Sequence, residues 1–431
     1  MADEILDVVV VGGGIAGLVC AYELAKDGKE VVLIERGSEA GSKNLSGGAF
    51  YCRVMEQIFP DFIKEAPIER RITHNVVSFL NESSAVNIDY FDKRLAEPTN
   101  AVSVLRAKFD AWLAQKCEEV GVMIMPGVKV DSLIKDGDKF VGVKAGDDEL
   151  LAKVVVLADG VNSFLATEAG VRAKQPPKRL AVGVKSVIGL PRKMLEDRFH
   201  LSGDEGAAYA IVGDCTKSVF GGGFLYTNLD SISLGVVLQL ESLSKTEFSS
   251  SDLHDYYLSH PAIAPLIEGG ELLEYGCHLI MEDGPAMVKE DIAKPGLLII
   301  GDAAGFALNT GLTVRGMDLA AGSALAAANA IKQAFAKDDF SQAAMDVYRA
   351  ELDKNWVGQD MKTYEHAPHF LETARMYKDY GELLSNILYG AFNHDLTPRK
   401  HLRKVAVDAF KASKVKLTEL IRDAYVGLKS L

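Results

Sequence analysis

The sequence predicts an α/β protein in which a parallel sheet is interleaved with an antiparallel sheet and followed by a helical C-terminal region. Three observations predict this fold: β-branched runs that stop at glycines or acids, a strand-rich middle with polar breaks, and a helical pattern past residue 342. The chain has 431 residues, of which 48% are hydrophobic and 25% charged. That composition is ordinary for a folded protein of two or three domains.

Charge and cysteine content exclude several classes of protein. The net charge of −13 repels a phosphate backbone, so nucleic acid is not an expected partner. Five widely spaced cysteines include no Cys-x-x-Cys pair, which disfavours a disulfide framework, a zinc site and an iron–sulfur cluster held by this chain alone. The acidic start at residues 1–4 does not fit a secretory signal, and no apolar run reaches the ~18 residues of a membrane span. We therefore expect a cytoplasmic protein.

The first forty residues carry the clearest motif. The apolar run Leu6–Val11 predicts a buried strand, and a turn with Gly12, Gly14 and Gly17 follows it before a helix that runs to Lys26. In a Rossmann-like unit the first glycine makes the tight turn, the second lets a pyrophosphate approach the backbone, and the third lets helix and strand pack closely. The helix N-terminus, with Ile15 and Ala16, offers amide groups to the phosphates.

A second predicted strand, residues 30–34, ends at Glu35 and Arg36. Glu35 stands 23 residues after Gly12, the spacing at which an acid accepts hydrogen bonds from an adenosine ribose. The strand before the glycines, the helix after them and this acid together predict a dinucleotide cofactor.

Three further short strands are predicted, at residues 122–125, 153–158 and 297–300. The second ends in Asp159 and Gly160, and the third ends in Gly301 and Asp302. Because open α/β sheets bind ligands beyond the carboxyl ends of their strands, we expect these residues to meet at one edge of the sheet.

A single glycine fingerprint favours FAD over NAD(P)H as the tightly bound cofactor, since no second fingerprint follows near mid-chain. An alanine-rich helix is predicted from near Leu312 to about Ala336. Its N-terminus would face a flavin that gains negative charge on reduction. The alternative is that the alanines serve close helix packing only.

The motifs at residues 12–17, 157–160 and 301–305 resemble the two-domain FAD fold shared by aromatic hydroxylases, prenyl reductases and electron-transfer flavoprotein:quinone oxidoreductases. The similarity to the quinone oxidoreductase branch, especially its FixC-type members, is carried by the segments 43–48, 105–110, 222–227 and 314–318.

The resemblance implies a role for each matched position. Gly12, Gly14 and Gly17 would hold the pyrophosphate and Glu35 the ribose. Arg106 and Asp302 would meet the phosphates or the ribityl chain, the backbone of Val128 the adenine, and Gly47, Gly48, Gly311 and Leu312 the isoalloxazine ring. The turn at Asp159 either contacts the cofactor or has a structural role only. The predicted cofactor-binding set is Gly12, Gly14, Ile15, Ala16, Gly17, Glu35, Arg36, Gly47, Gly48, Arg106, Val128, Asp159, Gly160, Gly301, Asp302, Gly311 and Leu312.

The resemblance also implies a function. An FAD-dependent oxidoreductase of this branch relays electrons from an electron-transfer flavoprotein (FixA/FixB-like) to quinone or to a ferredoxin-like subunit. No cysteine follows Cys277, so the iron–sulfur cluster of the pathway would lie on a separate small FixX-like subunit. No catalytic acid or base is required, and participation in a bifurcating assembly stays open.

Two alternatives remain at this point. The first is an FAD-dependent prenyl-lipid (geranylgeranyl) reductase, although residues 223–227 lack the Trp and Pro of the Tyr-x-Trp-x-Phe-Pro segment in such enzymes. The second is an assembly subunit that keeps the fold but has lost the cofactor.

The predicted domains interleave along the chain. The FAD-binding domain comprises residues 1–73, 101–177 and 286–341, and the antiparallel substrate or quinone-side domain comprises residues 74–100 and 178–285.

The helical region is 342–431, and its last part, 395–431, has nine Lys/Arg against four Asp/Glu. A basic tail beside an apolar, aromatic helix suits the inner face of a membrane or an acidic partner. The alternative is a helix packed on its own domain.

No metal site is predicted. The two histidines closest in sequence, His366 and His369, have Pro368 between them, and a proline disturbs the regular helical geometry that would bring both to one metal ion.

Overall fold

The computed structural model describes residues 5–44 and 47–431. The acidic start of the chain, and Leu45 and Ser46 of the segment 43–48, lie outside the described residues.

Strands and helices alternate in the first half of the chain, and helices follow one another in the last quarter. The strands are β1 (Leu6–Val11), β2 (Val31–Glu35), β3 (Gly47–Tyr51), β4 (Ile68–Asn81), β5 (Ser84–Phe91), β6 (Ala101–Leu105), β7 (Met123–Pro126), β8 (Ser132–Asp136), β9 (Lys139–Ala145), β10 (Asp148–Leu157), β11 (Leu180–Gly189), β12 (Glu205–Gly213), β13 (Gly221–Thr227), β14 (Ser231–Gln239), β15 (Glu271–Met281), β16 (Ala293–Lys294), β17 (Leu297–Ile299), β18 (Leu308–Asn309) and β19 (Val314–Arg315).

The α-helices are α1 (Ile15–Lys26), α2 (Arg53–Ile58), α3 (Phe62–Glu65), α4 (Arg106–Glu119), α5 (Phe164–Glu168), α6 (Arg192–Phe199), α7 (Leu240–Leu243), α8 (Ser250–Ser259), α9 (Ala264–Ile267), α10 (Gly284–Val288), α11 (Met317–Lys337), α12 (Gln342–Met345), α13 (Val347–Lys354), α14 (Trp356–Thr363), α15 (Ala367–Leu371), α16 (Asp379–Phe392), α17 (Leu402–Ala412) and α18 (Leu417–Ser430). Single 3-10 turns lie at Lys93–Leu95, Pro177–Arg179, Asp214–Thr216, Gly301–Ala304 and Ala374–Tyr377.

The five strands predicted from the apolar runs are confirmed, and they are neighbours in one sheet. Their order is β17–β10–β1–β2–β7, and every pair among them is parallel. β1 and β10 lie at the centre, where Val8, Val9 and Val10 are fully buried. Both faces of the sheet are buried there, which explains why these strands read as continuous apolar runs. The parallel arrangement brings all five carboxyl ends to the same edge.

The second sheet covers that edge. Its strands run in the order β15–β11–β14–β13–β12–β4–β6–β3, with β5 paired to β4. All neighbours are antiparallel except β12 and β4, which are parallel. The predicted run 231–240 forms β14. Its alternate residues Leu234 and Val236 join Val184 and Leu225 in a core on the side of the sheet where α8 packs.

The two sheets exchange segments of chain. β3, β6 and the start of β4 fall within ranges assigned above to the FAD-binding domain, yet they pair in the second sheet. Phe50 on β3 packs edge-on against Phe109 on α4, with ring centroids 5.4 Å apart, and against Phe62 at 6.3 Å. The division into domains at the stated residues therefore stays a prediction, because packing here joins the two sheets.

The alanine-rich helix begins at Met317 and not near Leu312, so the predicted start was wrong. The intervening residues form a hairpin of β18 and β19, in which the Thr310 amide donates to the Thr313 carbonyl at 3.0 Å. The Thr310 hydroxyl accepts from the Thr313 amide at 3.2 Å. Those bonds compete with a helical turn, so the helix starts only after Gly316. Its end at Lys337 is within one residue of the prediction.

The region beyond residue 342 is helical, as predicted, from α12 to α18. α18 packs on α15 through Gly427, whose ideal Cβ position is 2.7 Å from the Phe370 ring. The mixed α/β fold with a helical C-terminal region is thus confirmed.

Arg70 on β4 joins the second sheet to its loops. Its side chain is fully buried and donates to the carbonyls of Asn228 at 2.7 Å, Glu205 at 2.9 Å, Gly203 at 3.1 Å and Leu229 at 3.3 Å. A buried guanidinium with this many acceptors fixes two loops against one strand, since each carbonyl would otherwise lose its partner.

We predict that Arg70→Met lowers the free energy of unfolding by about 3 kcal/mol, because it leaves buried carbonyls without donors. Urea unfolding followed by circular dichroism measures this value. Arg71→Met is the matched control, since the Arg71 side chain is 29% exposed and pairs with Asp204 at 3.2 Å. It should cost less than about 1 kcal/mol. Equal losses in the two variants would contradict the role given to Arg70.

Candidate cofactor site

Two glycines of the turn after β1 are required by the protein's own packing. Gly12 has a φ of +112°, and its amide donates to the Ile34 carbonyl at 2.8 Å. At Gly17 an ideal Cβ would lie 2.0 Å from the Gly12 carbonyl oxygen and 3.3 Å from the Ala158 Cβ. Any side chain at either position would therefore push α1 away from β1 and β10.

Gly14 is different, because nothing in the protein requires a glycine there. Its φ of −87° suits any residue, and the nearest atom to its ideal Cβ is Arg106 Nη2 at 4.0 Å. The first bond of α1 runs from the Leu18 amide to the Gly14 carbonyl, so the preceding amides, Ile15 and Ala16 among them, have no partner within the helix. No side chain of the described residues caps this end. An open helix N-terminus behind a bare Cα is the arrangement that binds phosphate.

Glu35 at the end of β2 is already bound on both oxygens. Oε2 accepts from the Gly13 amide at 2.7 Å, and Oε1 accepts from the Gly37 amide. A carboxylate has about four acceptor positions, so two remain for ribose hydroxyls. The Val128 amide donates to the Glu35 carbonyl at 3.0 Å, which leaves the Val128 carbonyl for a ligand. Arg36 follows on the surface and is exposed.

Arg106 and Asp302 face each other across the cleft between the two sheets. Arg106, the first residue of α4, makes two hydrogen bonds to the buried Asp110, Nε to Oδ1 at 2.9 Å and Nη2 to Oδ2 at 2.7 Å. Asn44 donates to the same carboxylate at 2.8 Å. Burial lowers the pKa of Arg106, but Asp110 and Asp302 outweigh burial and raise it. Burial raises the pKa of Asp302, while Arg106 and Lys185 oppose that effect. Solvent reaches the Asp302 side chain within the cleft.

Of the residues at the remaining strand ends, some are free to contact a ligand and others are required by packing. Burial raises the pKa of Asp159 to about 6, and within the part of the chain described its Oδ1 has no hydrogen-bond partner. Gly160 follows with a φ of +80°. Gly301, with a φ of +58°, donates to Ser323 Oγ at 3.0 Å, and a Cβ there would lie 2.7 Å from the Ala16 Cβ. Gly301 therefore serves the close packing of the turn, whereas Asp159 has a free acceptor.

The residues expected beside the ring lie on the other side of the cleft. The Gly47 amide donates to Ser233 Oγ at 3.3 Å, and the ideal Cβ of Gly48 lies 3.1 Å from Met317 Cε at the start of α11. Gly311, with a φ of +75°, is near Leu371, and Leu312 is 62% exposed. Gly48 therefore lies at the start of α11. The hairpin that contains Gly311 and Leu312 comes just before this helix in the chain.

The sequence analysis missed Lys185 on β11 and His278 on β15. Burial and Arg106 lower the pKa of Lys185 to about 8, with Asp302 opposing. Burial, Lys185 and Arg106 lower the pKa of His278. The available signal was a lysine inside the apolar run of residues 180–189.

The described residues contain neither a metal-ligand cluster nor a membrane-spanning helix. No group of three or more His, Cys, Asp and Glu side chains within them is arranged to hold a metal ion. None of their helices combines the length and the apolar character needed to cross a bilayer.

Comparison with known proteins assigns the chain to a family. The model of the HI0933-like protein Rossmann domain matches residues 6–258, and the model of the ETF-QO/FixC family C-terminal domain matches residues 367–431. Over the full length of both chains, the sequence is 43% identical to "Probable electron transfer flavoprotein-quinone oxidoreductase YdiS" and 42% identical to "Protein FixC", both of Escherichia coli (strain K12). The chain belongs to the FixC and electron transfer flavoprotein-quinone oxidoreductase family. The predicted resemblance is confirmed.

Solved structures of more distant proteins show the same fold. A geranylgeranyl bacteriochlorophyll reductase-like protein from Thermoplasma acidophilum aligns with a TM-score of 0.72 and 20% identity, over 97% of this chain and 99% of that one. The flavin-dependent brominase Bmp2 aligns with a TM-score of 0.63 and 19% identity, over 98% of each chain. Halogenase PltM, in complex with FAD, aligns with a TM-score of 0.63 and 15% identity, over 95% and 84%. This FixC-family protein is an oxidoreductase with the fold of FAD-dependent enzymes.

FAD is the cofactor that the cleft fits. The bare Cα of Gly14, the open N-terminus of α1, the spare acceptor positions of Glu35 and the unpartnered oxygen of Asp159 all lie at the edge where the parallel strands end. The contacts of individual residues with FAD stay predictions.

We predict that Gly14→Glu lowers the FAD content of the purified protein at least tenfold (about 1.4 kcal/mol or more), because its side chain fills the space before the phosphate-binding amides and adds like charge. The free energy of unfolding of the apoprotein should change by less than about 1 kcal/mol, since no protein atom is displaced.

Gly17→Ala is the matched variant, with its Cβ against the Gly12 carbonyl. It should lower the free energy of unfolding by about 2–3 kcal/mol. The flavin-to-protein absorbance ratio and urea unfolding give the two readouts. Wild-type FAD content in Gly14→Glu would show that the phosphates bind elsewhere.

Proposed function

We propose that this protein takes electrons from an electron-transfer flavoprotein and passes them to a quinone or to a small ferredoxin-like iron–sulfur subunit. The observation that carries the proposal is full-length identity of 43% to a protein named for electron transfer flavoprotein and quinone. The cleft supports it, because it offers a dinucleotide site.

The residues of the cleft bind and orient the cofactor. The amides at the start of α1 would hold the pyrophosphate and Glu35 the ribose, while Arg106 and Asp302 would meet the phosphates or the ribityl chain. Bound FAD supplies the redox chemistry, because a flavin takes up and releases electrons singly or in pairs. Because the flavin carries the electrons, no side chain is assigned as acid or base.

The cysteines support a separate iron–sulfur subunit. Cys20, Cys52, Cys117 and Cys215 are buried and Cys277 is exposed. All five are free, and among the described residues no group of them is placed to ligate a cluster. A ferredoxin-like step in this pathway therefore needs a cluster on another chain.

The test is anaerobic reduction of the FAD-loaded protein by reduced electron-transfer flavoprotein. We expect bleaching of the oxidised flavin band, followed by its return when a soluble quinone analogue or the oxidised iron–sulfur subunit is added. Gly14→Glu, loaded poorly with FAD, is the negative control.

Two outcomes would contradict the proposal. One is a flavin that stays oxidised with the flavoprotein donor but is bleached by NADPH. The other is reoxidation by a geranylgeranyl chain, with loss of its double bonds, which would favour the lipid reductase.

We further propose that the C-terminal helices rest on the inner face of a membrane. Large apolar side chains are exposed on α16, α17, α18 and the loops between them, including Phe392 at 78% and Leu428 at 89%. Residues 395–431 carry a net charge of +5 in a chain of net charge −13. Apolar side chains beside basic ones bind anionic lipid surfaces, whereas a solvated face needs only the basic ones.

We predict that the protein co-sediments with vesicles of phosphatidylcholine and phosphatidylserine, and that binding weakens with salt because surface charges are screened. The double variant Phe392→Asp, Leu428→Asp should bind at least tenfold more weakly (about 1.4 kcal/mol or more), since burial of two apolar side chains is lost. Leu272→Asp, exposed on the edge strand β15, is the control and should bind like wild type. Equal binding by all three proteins would place the contact elsewhere.

A further inference from the structure

Lys185 is a basic residue of the cleft for which the proposed function gives no role. It lies in the middle of β11 between Val184 and Ser186. Successive residues of a strand point to opposite faces of its sheet. Val184 belongs to the outer core with Val236, so Lys185 points to the inner face, toward the parallel sheet.

The inner face is the one that reaches the residues expected beside the flavin ring. Lys185 is paired in register with Gly235, and Ser233 lies two residues along the same strand and therefore on the same face. Ser233 Oγ accepts the hydrogen bond from the Gly47 amide. Lys185 and Ser233 therefore lie on one face of the second sheet, and Gly47 contacts that face through Ser233.

Glycines give the lysine side chain its room. Its stem lies across Gly183, whose ideal Cβ would be 3.5 Å from Lys185 Cε. On the next strand, the ideal Cβ of Gly235 would be 3.0 Å from Lys185 Cα and 3.0 Å from the Phe224 ring. A Cβ at Gly183 would only touch the lysine stem, but a longer side chain there would fill the space that the stem occupies.

The positive charge of Lys185 has no direct partner among the described residues. Three charged or titratable groups face it: Arg106 from α4, Asp302 from the turn after β17, and His278 from β15. Asp110 holds Arg106 in two hydrogen bonds, whereas the described residues give Lys185 neither a hydrogen bond nor an ion pair. Even with the pKa of Lys185 lowered to about 8, the amine is largely protonated at neutral pH.

An unpaired cation in a partly desolvated cleft is costly unless an anion arrives there. Reduction adds negative charge to a flavin, and fixed positive charge near that locus favours the reduced form. We propose that Lys185 stabilises the reduced state of bound FAD and so raises its midpoint potential. The inference rests on the proposed function only in that FAD occupies the cleft.

The test is a spectroelectrochemical titration of FAD-loaded Lys185→Met. At a fixed potential the ratio of reduced to oxidised flavin should fall about tenfold or more, which is about 30 mV for a two-electron couple. Lys185→Arg keeps the charge and should change the ratio less than about twofold. Lys193→Met removes a lysine whose side chain is 78% exposed on α6 and should leave the potential unchanged.

The dependence on pH gives a second readout. As the pH rises from about 7 to about 10, wild-type Lys185 loses its proton, so the difference in midpoint potential between wild type and Lys185→Met should shrink. Lys185→Arg should keep its difference from Lys185→Met, because arginine stays charged.

Two results would overturn the inference. One is an unchanged potential in Lys185→Met at normal FAD content. The other is a Lys185→Met protein that cannot be loaded with FAD, which would assign the lysine to holding the cofactor and not to tuning it. Wild-type protein without FAD would instead refute the proposed function, so the two failures are distinguishable.

Discussion

The close approach of helix α1 to strands β1 and β10 is the constraint on which the site depends. The backbone of Gly12 and the bare Cα of Gly17 are in contact, and Ala158 at the end of β10 closes the same junction. This contact brings the N-terminus of α1 over the edge where the parallel strands end. Glu35 then reaches the turn through the Gly13 amide, and Arg106 reaches the space before Gly14. A side chain at the junction would move the helix, and each of these contacts depends on its position.

The charges of the cleft contrast with those of the chain as a whole. The protein is acidic, but Arg106 and Lys185 converge where FAD is expected, with His278 beside them. Arg106 is neutralised by Asp110, so the cleft pairs one compensated cation with one uncompensated cation. The compensated cation suits a permanent anion such as pyrophosphate, which needs a donor of fixed geometry. The uncompensated cation suits a group whose negative charge changes, such as a flavin that is reduced and reoxidised.

The sequence predicted the parallel sheet well because its signals are local. Each of the five strands is a short apolar run that stops at a glycine or an acid, and parallel pairing brings the stops together. The start of α11 was misplaced because the hydrogen bonds of Thr310 and Thr313 compete with a helical turn, and alanine content does not reveal that competition. Lys185 was missed for another reason. Its significance comes from Arg106 and Asp302, which lie 79 positions before and 117 positions after it in the chain, and no local pattern encodes such a meeting.

The two sheets have different roles in this protein. Similar folds occur in a reductase-like protein, a brominase and a halogenase, so the fold alone does not select the reaction. The phosphate contacts predicted at the edge of the parallel sheet are made by backbone amides, which do not select an electron acceptor. The covering sheet differs, because its inner face presents Lys185, the stacked rings of Phe224 and Tyr226, and glycines between them. Specific chemistry in this protein must therefore come from side chains of the covering sheet, where a single substitution changes charge or space without disturbing the junction that holds the cofactor.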